Sequence, residues 1–326
     1  MKAILYDSPG SPTVLYLGEA PDPQPAANEM LIRVRATALN RADLLQRRGG
    51  YAPPADASPI LGLEVAGEVA YAPDGASFAV GERVMAVVTG GGYAEYAAVP
   101  LGMAMRVPEA LTWEQAAAIP EVFLTAYLNL FTLGSLQAGE SVLIHAGGSG
   151  VGTAAIQLAR EAGVRVFATA GTPEKLAKCR ELGAAFAINY RQEDFAATVR
   201  SATNGRGVNA VLDFIGAPNW AANLEALAIG GRLMLIGFLG GSKAPALDLA
   251  PILTKSLHVT GTTLRRTPLP QKIALTRAFE SFAMPRFVSG ALQPILDRVF
   301  PLAEAAAAHA YMETNQNIGK IVLRVD

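Results

Sequence analysis

The feature that most constrains the fold is a glycine-rich corner between an apolar strand and an alanine-rich helix. Residues 141–152 read SVLIHAGGSGVG, and small or apolar residues then recur at helical spacing as far as Ala162. A strand, a tight turn and a helix begin a nucleotide-binding βαβ unit, in which glycines let the backbone approach a pyrophosphate and the helix N-terminus stabilises its charge. The pattern therefore predicts a dinucleotide site.

The glycine spacing departs from the strict G-x-G-x-x-G pattern. Ser149 stands where the second glycine would be, with Gly147 before it and Gly152 after it. The alternative interpretation is a tight turn that binds nothing. The apolar strand before the corner, the helix after it and a second strand at residues 164–169 favour the nucleotide site.

The end of that second strand indicates which cofactor is bound. NAD-preferring sites usually carry Asp or Glu about 20 residues beyond the first glycine, where the acid holds the ribose hydroxyls. Here no acidic residue ends the strand, Gly171 opens space, and Lys175 brings a positive charge to the first turn of the next helix. We therefore expect NADP(H) rather than NAD, with a solvated helix lysine as the alternative interpretation of Lys175.

Composition narrows the class of protein. The 326 residues suggest two domains, and the balance of 27 basic against 28 acidic residues, with no basic run, predicts no nucleic-acid partner. Cys179 is the only cysteine and no signal peptide opens the chain, so we expect a cytoplasmic protein. The apolar residues 116–130 contain Pro120 and Glu121 and are expected to be too short to cross a membrane.

Metal chemistry is not expected either. A zinc site needs about four ligands, usually Cys or His. The chain offers one cysteine and three separated histidines, His145, His258 and His309. His145 ends an apolar strand and is interpreted as a hydrogen-bonded core residue rather than a catalyst.

The order of strands and helices divides the rest of the chain into two parts. Residues 30–37 alternate as a half-buried strand does, and strands at 65–70, 83–88 and 93–99 complete a barrel-like β domain, with Asn40 capping a short helix. Strands at residues 187–190, 208–213, 232–236 and 257–262 alternate with helices and predict a doubly wound parallel sheet. The last strand, at residues 319–324, is assigned to the β domain.

Ligands of such sheets bind at the carboxyl ends of the strands. Two aromatic residues fall there. Tyr190 would lie beside the adenosine pocket and Phe238 nearer the nicotinamide. Ordinary packing is the alternative for each.

Six segments are distinctive: NRAD at 40–43, GLEVAG at 62–67, GERV at 81–84, AAAIP at 116–120, HAGGSGVGTAAIQLA at 145–159 and NIGKIV at 317–322. Together they resemble the zinc-free quinone oxidoreductases of the medium-chain dehydrogenase/reductase superfamily. The resemblance runs over essentially the whole chain. It is strongest to the tumour-suppressor-induced NADPH:quinone oxidoreductase branch, on residues 40–51 and 312–319.

The resemblance implies an α/β architecture of two domains. A GroES-like β-barrel catalytic domain would comprise residues 1–122 and 264–326, and a Rossmann domain that binds NADPH would comprise residues 123–263. NADPH would lie in the cleft between them, and a homodimer would form through the edges of the Rossmann sheets.

The resemblance also implies site residues by position. Tyr127, Gly150 and Val151 would lie near the pyrophosphate and the nicotinamide ribose. Gly171, Lys175 and Tyr190 would surround the 2′-phosphate, and Phe238 and Leu239 would lie beside the nicotinamide. Asn40, Tyr51 and Ser149 would line the substrate side.

The expected reaction is direct hydride transfer from nicotinamide C4 to a quinone. A quinone accepts hydride readily, so proximity and orientation in a dry cleft would supply most of the rate. Water, Tyr51 or Ser149 would supply the proton, and a structural role in the turn is the equal alternative for Ser149. A one-electron outcome with ortho-quinones stays open.

Two other functions stay open. The alternative enzyme is an NADPH-dependent enoyl or alkenal reductase, which adds hydride to a conjugated double bond of another small carbonyl compound. A non-catalytic NADPH-binding redox sensor is the third interpretation.

Overall fold

The computed structural model describes residues 1–55, 57–243 and 247–325, which form two compact units. The first unit combines Met1–Leu124 with Arg265–Asp326, and the second is Thr125–Leu264. The first unit is therefore built from both ends of the chain. The boundaries suggested by the sequence, after residues 122 and 263, differ from these by one or two residues.

Fifteen β-strands and ten α-helices lie within the described residues. The strands are β1 (Lys2–Leu5), β2 (Tyr16–Glu19), β3 (Glu29–Ala38), β4 (Glu64–Tyr71), β5 (Arg83–Val87), β6 (Tyr96–Pro100), β7 (Ala104–Arg106), β8 (Ser141–Ile144), β9 (Arg165–Ala170), β10 (Phe186–Asn189), β11 (Val208–Asp213), β12 (Leu227–Leu235), β13 (His258–Gly261), β14 (Leu296–Pro301) and β15 (Lys320–Arg324). The α-helices are α1 (Arg41–Arg47), α2 (Trp113–Ala117), α3 (Pro120–Tyr127), α4 (Gly150–Glu161), α5 (Pro173–Leu182), α6 (Phe195–Ala202), α7 (Trp220–Ala226), α8 (Ala250–Thr254), α9 (Leu269–Val288) and α10 (Ala305–Glu313). Helix α3 continues directly into a π-helical segment, Leu128–Leu133.

The first unit contains a seven-stranded sheet in the order β14-β15-β3-β4-β5-β7, with β6 paired to β3. Strand β3 alternates as the sequence predicted, with Met30, Ile32 and Val34 buried on one face. Strand β15 pairs antiparallel with β3 and parallel with β14. The prediction that the last strand joins the N-terminal β domain is confirmed.

The second unit contains a six-stranded sheet in the order β10-β9-β8-β11-β12-β13, and all its pairings are parallel. All four residues of β8 are buried, as a sheet covered on both faces requires. The strand order reverses between β8 and β11, and ligands bind at such switch points. The corner that follows β8 therefore lies where a dinucleotide is expected, and the predicted doubly wound sheet is confirmed.

The edge strand β13 has four exposed residues. It is one of the two sheet edges through which the resemblance would form a homodimer. That assembly stays a prediction.

Residues 116–130 were expected to be too short to cross a membrane. That expectation is wrong, because they belong to a longer helical run. The helical run Trp113–Leu133 has 21 residues, which is long and apolar enough. However, 72% of its most apolar window is buried inside the protein. A core helix of a globular protein has this property.

The core of the second unit depends on apolar side chains from the central strands. Leu233 on β12 is fully buried in a cluster with Leu143, Phe167 and Val211. Leu233→Ala should lower the free energy of unfolding by about 2–5 kcal/mol, because it removes apolar contacts and leaves a cavity in the core. Denaturant-induced unfolding measures the change.

A control variant lies on the same strand. Ile229 is 82% exposed, so Ile229→Ala should change the free energy of unfolding by less than about 0.5 kcal/mol. Equal losses in the two variants would contradict the burial of β12 in this core.

Candidate functional site

The corner between β8 and α4 is too tight for side chains at two of its glycines. A Cβ atom at Gly152 would lie 2.3 Å from the carbonyl oxygen of Ala146, and one at Gly147 would lie 2.7 Å from Cys179 Sγ. Ala146 itself adopts a left-handed conformation with φ 49°. The turn therefore requires glycine at 147 and 152 for its own geometry.

Ser149 caps the helix that leaves this corner. Its Oγ accepts a hydrogen bond from the Gly152 N–H at 3.0 Å, and its carbonyl oxygen accepts one from Thr153 at 2.8 Å. The structural role considered for Ser149 is therefore present, while its hydroxyl hydrogen is still available to a ligand.

The first amides of α4 remain available. Within the described part of the chain, the N–H groups of Gly150 and Val151 have no acceptor. Unpaired N–H groups at the N-terminus of a helix, here one of 12 residues, favour an anion. These residues therefore fit the pyrophosphate of a dinucleotide.

Lys175 lies beside the same corner. It occupies the first turn of α5, where Thr172 Oγ1 accepts its N–H at 3.3 Å. A Cβ atom at Gly148 would lie 2.9 Å from Lys175 Cγ and 3.0 Å from Cδ. The aliphatic part of Lys175 thus crosses Gly148, and the structure brings this lysine to the glycine-rich corner.

Gly171, Tyr190 and Arg191 form a second group, at the ends of β9 and β10. Tyr190 Oη and Arg191 Nε lie 2.8 and 2.9 Å from the point where a Cβ atom of Gly171 would stand. The Arg191 guanidinium carbon is 6.0 Å from the centre of the Tyr190 ring. Both side chains are exposed and available to a phosphate.

Arg191 was not predicted from the sequence. Its only signal was its position directly after Tyr190 at the end of a strand. The structure adds the contact with the Gly171 region, which a sequence pattern does not show.

Phe238 and Leu239 follow β12 and are exposed. Their fractional exposures are 57% and 55%, although both side chains are large and apolar. The Leu239 N–H donates to the Phe214 carbonyl oxygen at 2.9 Å, which ties this loop to the end of β11. Their position suits a flat ring at the carboxyl edge of the sheet.

Tyr127 lies on α3 rather than at a strand end. Its ring packs edge-to-face against Phe131 with centroids 5.0 Å apart, and burial raises the pKa of its hydroxyl. The contacts described here place it in the aromatic packing of the helix, and its contact with a cofactor stays a prediction.

His145 is a hydrogen-bonded core residue, as interpreted from the sequence. Its Nε2 lies 2.7 Å from Asn223 Oδ1, and the Asn223 amide nitrogen donates to Asp213 at 3.0 Å. Nε2 must then carry the hydrogen, which leaves Nδ1 as the acceptor for Thr169 Oγ1 at 2.9 Å. Burial lowers the pKa of His145, so the ring is neutral.

A buried ion pair lies at the centre of a hydrogen-bonded cluster in the first unit. Lys320 Nζ on β15 lies 2.7 Å from Glu64 Oε1 on β4, and both side chains are almost fully buried. Glu64 also accepts hydrogen bonds from Asn40 Nδ2 and the Glu121 N–H, each at 2.8 Å. The charges are therefore compensated in several directions, as burial requires.

Asn40 has two structural tasks in this cluster. Its backbone N–H donates to the Asp43 carboxylate at 2.8 Å at the start of α1. Its side-chain amide donates to Glu64 and to the Ala38 carbonyl oxygen, and accepts from Lys320 at 2.8 Å. Both amide hydrogens are thus committed, and we infer that Asn40 holds the ion pair in place.

Asp43 extends the hydrogen-bond network of this ion pair. Its carboxylate accepts from the Gly62 N–H at 3.2 Å and from Tyr93 Oη at 3.1 Å. Burial raises the pKa of Asp43 to about 6, and the hydrogen bonds and Lys320 partly oppose that shift.

Tyr51, Arg265 and Glu121 border the cluster. The Arg265 guanidinium carbon lies 5.3 Å from the centre of the half-buried Tyr51 ring. Burial raises the pKa of Tyr51 and raises that of Glu121 to about 8. Sequence reasoning selected Tyr51 and missed the other two, as it missed Glu64 and Lys320.

The two groups of predicted site residues belong to different units. Asn40 and Tyr51 lie in the first unit, and the remaining predicted residues lie in the second. Over residues 1–55, 57–243 and 247–325, no group of three or more His, Cys, Asp and Glu side chains could hold a metal ion.

Breaking the buried ion pair should be costly. Lys320→Met leaves the Glu64 charge buried without its partner and should lower the free energy of unfolding by about 3–5 kcal/mol. Adding Glu64→Gln to that variant removes the uncompensated charge and should recover part of the loss. Denaturant-induced unfolding at neutral pH measures both.

The matched control is Lys178→Met on α5. The Lys178–Glu181 pair is of similar length, at 2.6 Å, but Glu181 is 64% exposed. Its loss should cost less than about 1 kcal/mol. If Lys320→Met cost no more than this control, the ion pair would not be a central support of the first unit.

Two protein families match this chain. Residues 26–109 match the alcohol dehydrogenase GroES-like domain, and residues 150–279 match the family described as zinc-binding dehydrogenase. Over the residues that the structure describes, no group of three or more His, Cys, Asp and Glu side chains would hold the zinc named in the second description.

The relatives match nearly the whole of this chain, but they differ in how much of their own length is matched. Pig quinone oxidoreductase is 32% identical over 99% of this chain and 97% of its own length. A mycocerosic acid synthase-like polyketide synthase of Mycobacterium tuberculosis is 34% identical over 92% of this chain, which spans only 14% of that protein.

Solved structures of similar proteins match this chain over nearly its whole length. Escherichia coli quinone oxidoreductase in complex with NADPH has a TM-score of 0.88 at 29% identity, covering 99% of this chain and 100% of that one. The CurK enoyl reductase also has a TM-score of 0.88, at 28% identity, covering 100% and 99%. From its two family matches and its full-length similarity to pig quinone oxidoreductase, this chain belongs to the medium-chain dehydrogenase/reductase superfamily.

Proposed function

We propose that this protein is an NADPH-dependent quinone reductase that works by direct hydride transfer and without a metal. The observation that carries the choice of cofactor is the group of basic and phenolic side chains around Gly171, at a strand end with no acidic residue. An acid there would hold the ribose hydroxyls of NAD and repel a 2′-phosphate.

The residues of the second unit divide the binding of the cofactor between them. The N–H groups of Gly150 and Val151 would bind the pyrophosphate, and Lys175, Tyr190 and Arg191 would bind the 2′-phosphate. Phe238 and Leu239 would pack against the nicotinamide. When bound, NADPH supplies the hydride.

The acceptor is proposed from the relatives. Quinone oxidoreductases of pig and Escherichia coli match this chain over nearly its whole length, and the second was solved with NADPH. Tyr51 presents a half-buried ring and hydroxyl, which suit an aromatic carbonyl compound. Positioning of the acceptor in a water-poor site would supply most of the rate.

An enoyl or alkenal reductase is the second candidate. The TM-score of 0.88 to the CurK enoyl reductase favours it. It would use the same cofactor and the same carbonyl-binding groups, but the hydride would attack a conjugated carbon.

Turnover with a panel of acceptors tests the proposal. The purified protein should oxidise NADPH faster than NADH with para- and ortho-quinones, followed at the nicotinamide absorbance. A conjugated enal without a quinone ring should be reduced more slowly. Product analysis then shows whether two electrons or one reach each quinone.

Other outcomes of that panel have definite meanings. Turnover of the enal alone would replace the quinone reductase by the enoyl reductase. Tight NADPH binding with no turnover of any acceptor would contradict both enzymes and support the redox sensor.

The phosphate site predicts selective losses. Lys175→Ala and Arg191→Ala should each raise the KM for NADPH by about 10- to 100-fold, because each removes a hydrogen bond or ion pair to a charged group. The KM for NADH, which lacks the 2′-phosphate, should stay nearly constant. Steady-state kinetics with both cofactors measures this.

Lys178→Ala is the control for these variants. It removes a lysine from the same helix α5 whose ammonium is paired with Glu181 at 2.6 Å. Its KM values should match those of the wild type. A proportional rise for NADPH and NADH in Lys175→Ala and Arg191→Ala would show that neither side chain reads the 2′-phosphate.

A further inference from the structure

Glu121 stands at the edge of the buried ion pair with an uncommitted carboxyl group. It follows Pro120 at the beginning of α3, and its backbone N–H donates to Glu64 Oε2 at 2.8 Å. Its side chain is half-buried and, among the described residues, has no hydrogen-bond or ion-pair partner. A carboxyl group in this position is available to a ligand.

Burial, more than the surrounding charges, keeps the carboxyl group of Glu121 protonated. Glu64 and Lys320 largely compensate each other, Asp43 on α1 adds negative charge, and Lys272 on α9 adds positive charge. Burial is the largest cause that raises the pKa of Glu121 to about 8, Glu64 raises it further, and Lys320 and Lys272 oppose the shift. At neutral pH the group is therefore mostly an uncharged acid.

Tyr51 and Arg265 are the other groups that interact with Glu121. Burial is the largest cause both of the raised pKa of Tyr51 and of the lowered pKa of Arg265. A charge on Glu121 adds to the first shift and opposes the second, so all three lie within electrostatic range of one another.

Arg265 has an unused donor. Its side chain is buried, with Nε bonded to the Thr89 carbonyl oxygen and Nη1 to Gln46 Oε1, each at 2.8 Å. Nη2 has no partner among the described residues. A buried donor without an acceptor calls for an explanation, and a ligand oxygen would satisfy it.

We propose that Glu121 is the proton donor of the reaction and that the carbonyl oxygen of the acceptor binds to its carboxyl group, beside the positive charge of Arg265. The inference rests on the proposed reductase function. The acceptor gains a hydride from the nicotinamide and a proton from Glu121, so the O–H bond of the carboxyl breaks as the new O–H bond forms. Water then returns a proton to Glu121.

The two hydroxyls considered from the sequence are weaker candidates. Burial raises the pKa of Tyr51 above its ordinary value, which makes it a poorer donor. A serine hydroxyl is a far weaker acid than a carboxyl group, and Ser149 Oγ is held at the corner as the cap of α4 by the Gly152 N–H. A general acid works best when its pKa lies near the working pH, and Glu121 meets that condition.

The test is the pH dependence of single-turnover NADPH oxidation with a para-quinone. The wild-type rate should fall as the pH rises through about 8, because Glu121 loses its proton there. Glu121→Gln keeps the size and the backbone bond to Glu64 but has no acidic proton. It should slow turnover by about 100-fold, the lower range for general acid catalysis, and should abolish this fall and the solvent deuterium isotope effect.

Two control variants make the result specific. Glu109→Gln removes an exposed carboxylate of the same unit and should keep the wild-type rate and pH profile. Tyr51→Phe should keep the fall near the pKa of Glu121. NADPH affinity, measured by fluorescence titration, should be the same in all variants, which separates proton donation from cofactor binding.

The outcomes distinguish this inference from the proposed function. If the wild type turns over and Glu121→Gln has the same rate and pH profile, the role of Glu121 is overturned while the reductase function stands. Loss of the pH-dependent fall in Tyr51→Phe instead would assign the proton to Tyr51. Absence of wild-type turnover with every acceptor would overturn the reductase function, and the proton donor with it.

Discussion

The buried ion pair between Glu64 and Lys320 is the interaction on which the first unit depends. It joins β4 to the last strand of the chain, and its remaining hydrogen-bonding capacity is used by Asn40 after β3 and by the first turn of α3. A charge in this position is stable only while its partners stay in place. One interaction thus fixes four elements that lie far apart in sequence.

The same pair gives the neighbouring groups their chemistry. Burial is the largest cause that disfavours Glu121 as an anion, and the neighbouring Glu64 carboxyl group adds to it. Burial can therefore keep this acid protonated at neutral pH. Asn40 contributes by holding Glu64 and Lys320 in place, which explains why an amide is useful there.

The second unit depends on steric constraints instead of buried charge. The glycines at 147 and 152 allow the chain to turn directly from β8 into α4, and Ser149 caps that helix. Two amides are left for an anion at the point where the strand order reverses. Lys175, Tyr190 and Arg191 then come from the starts and ends of neighbouring elements, so the positive charge lies beside the same edge of the sheet.

Sequence patterns predicted the elements with strong periodicity. The alternation in β3 and the strand-helix rhythm after residue 141 were enough for the two sheets and for the placement of β15. They missed β14, none of whose residues is fully buried, so that no apolar alternation marks it. They also measured the apolar stretch only over residues 116–130, whereas the helical run that contains it is longer, Trp113–Leu133.

By itself, the sequence determined the type of fold and the glycine-rich corner, because these follow from local spacing and from conformations that only small residues adopt. It also placed Lys175, Tyr190 and Gly171 in one region, since parallel strands end on the same side of a sheet. Only the tertiary structure decided that Glu64 pairs with Lys320, that Asn40 serves this pair, and that Glu121, Tyr51 and Arg265 are neighbours. The contacts of Lys320 and Arg265 join residues more than a hundred positions apart, and burial, which sets the charge of Glu121, is a property of the packed chain.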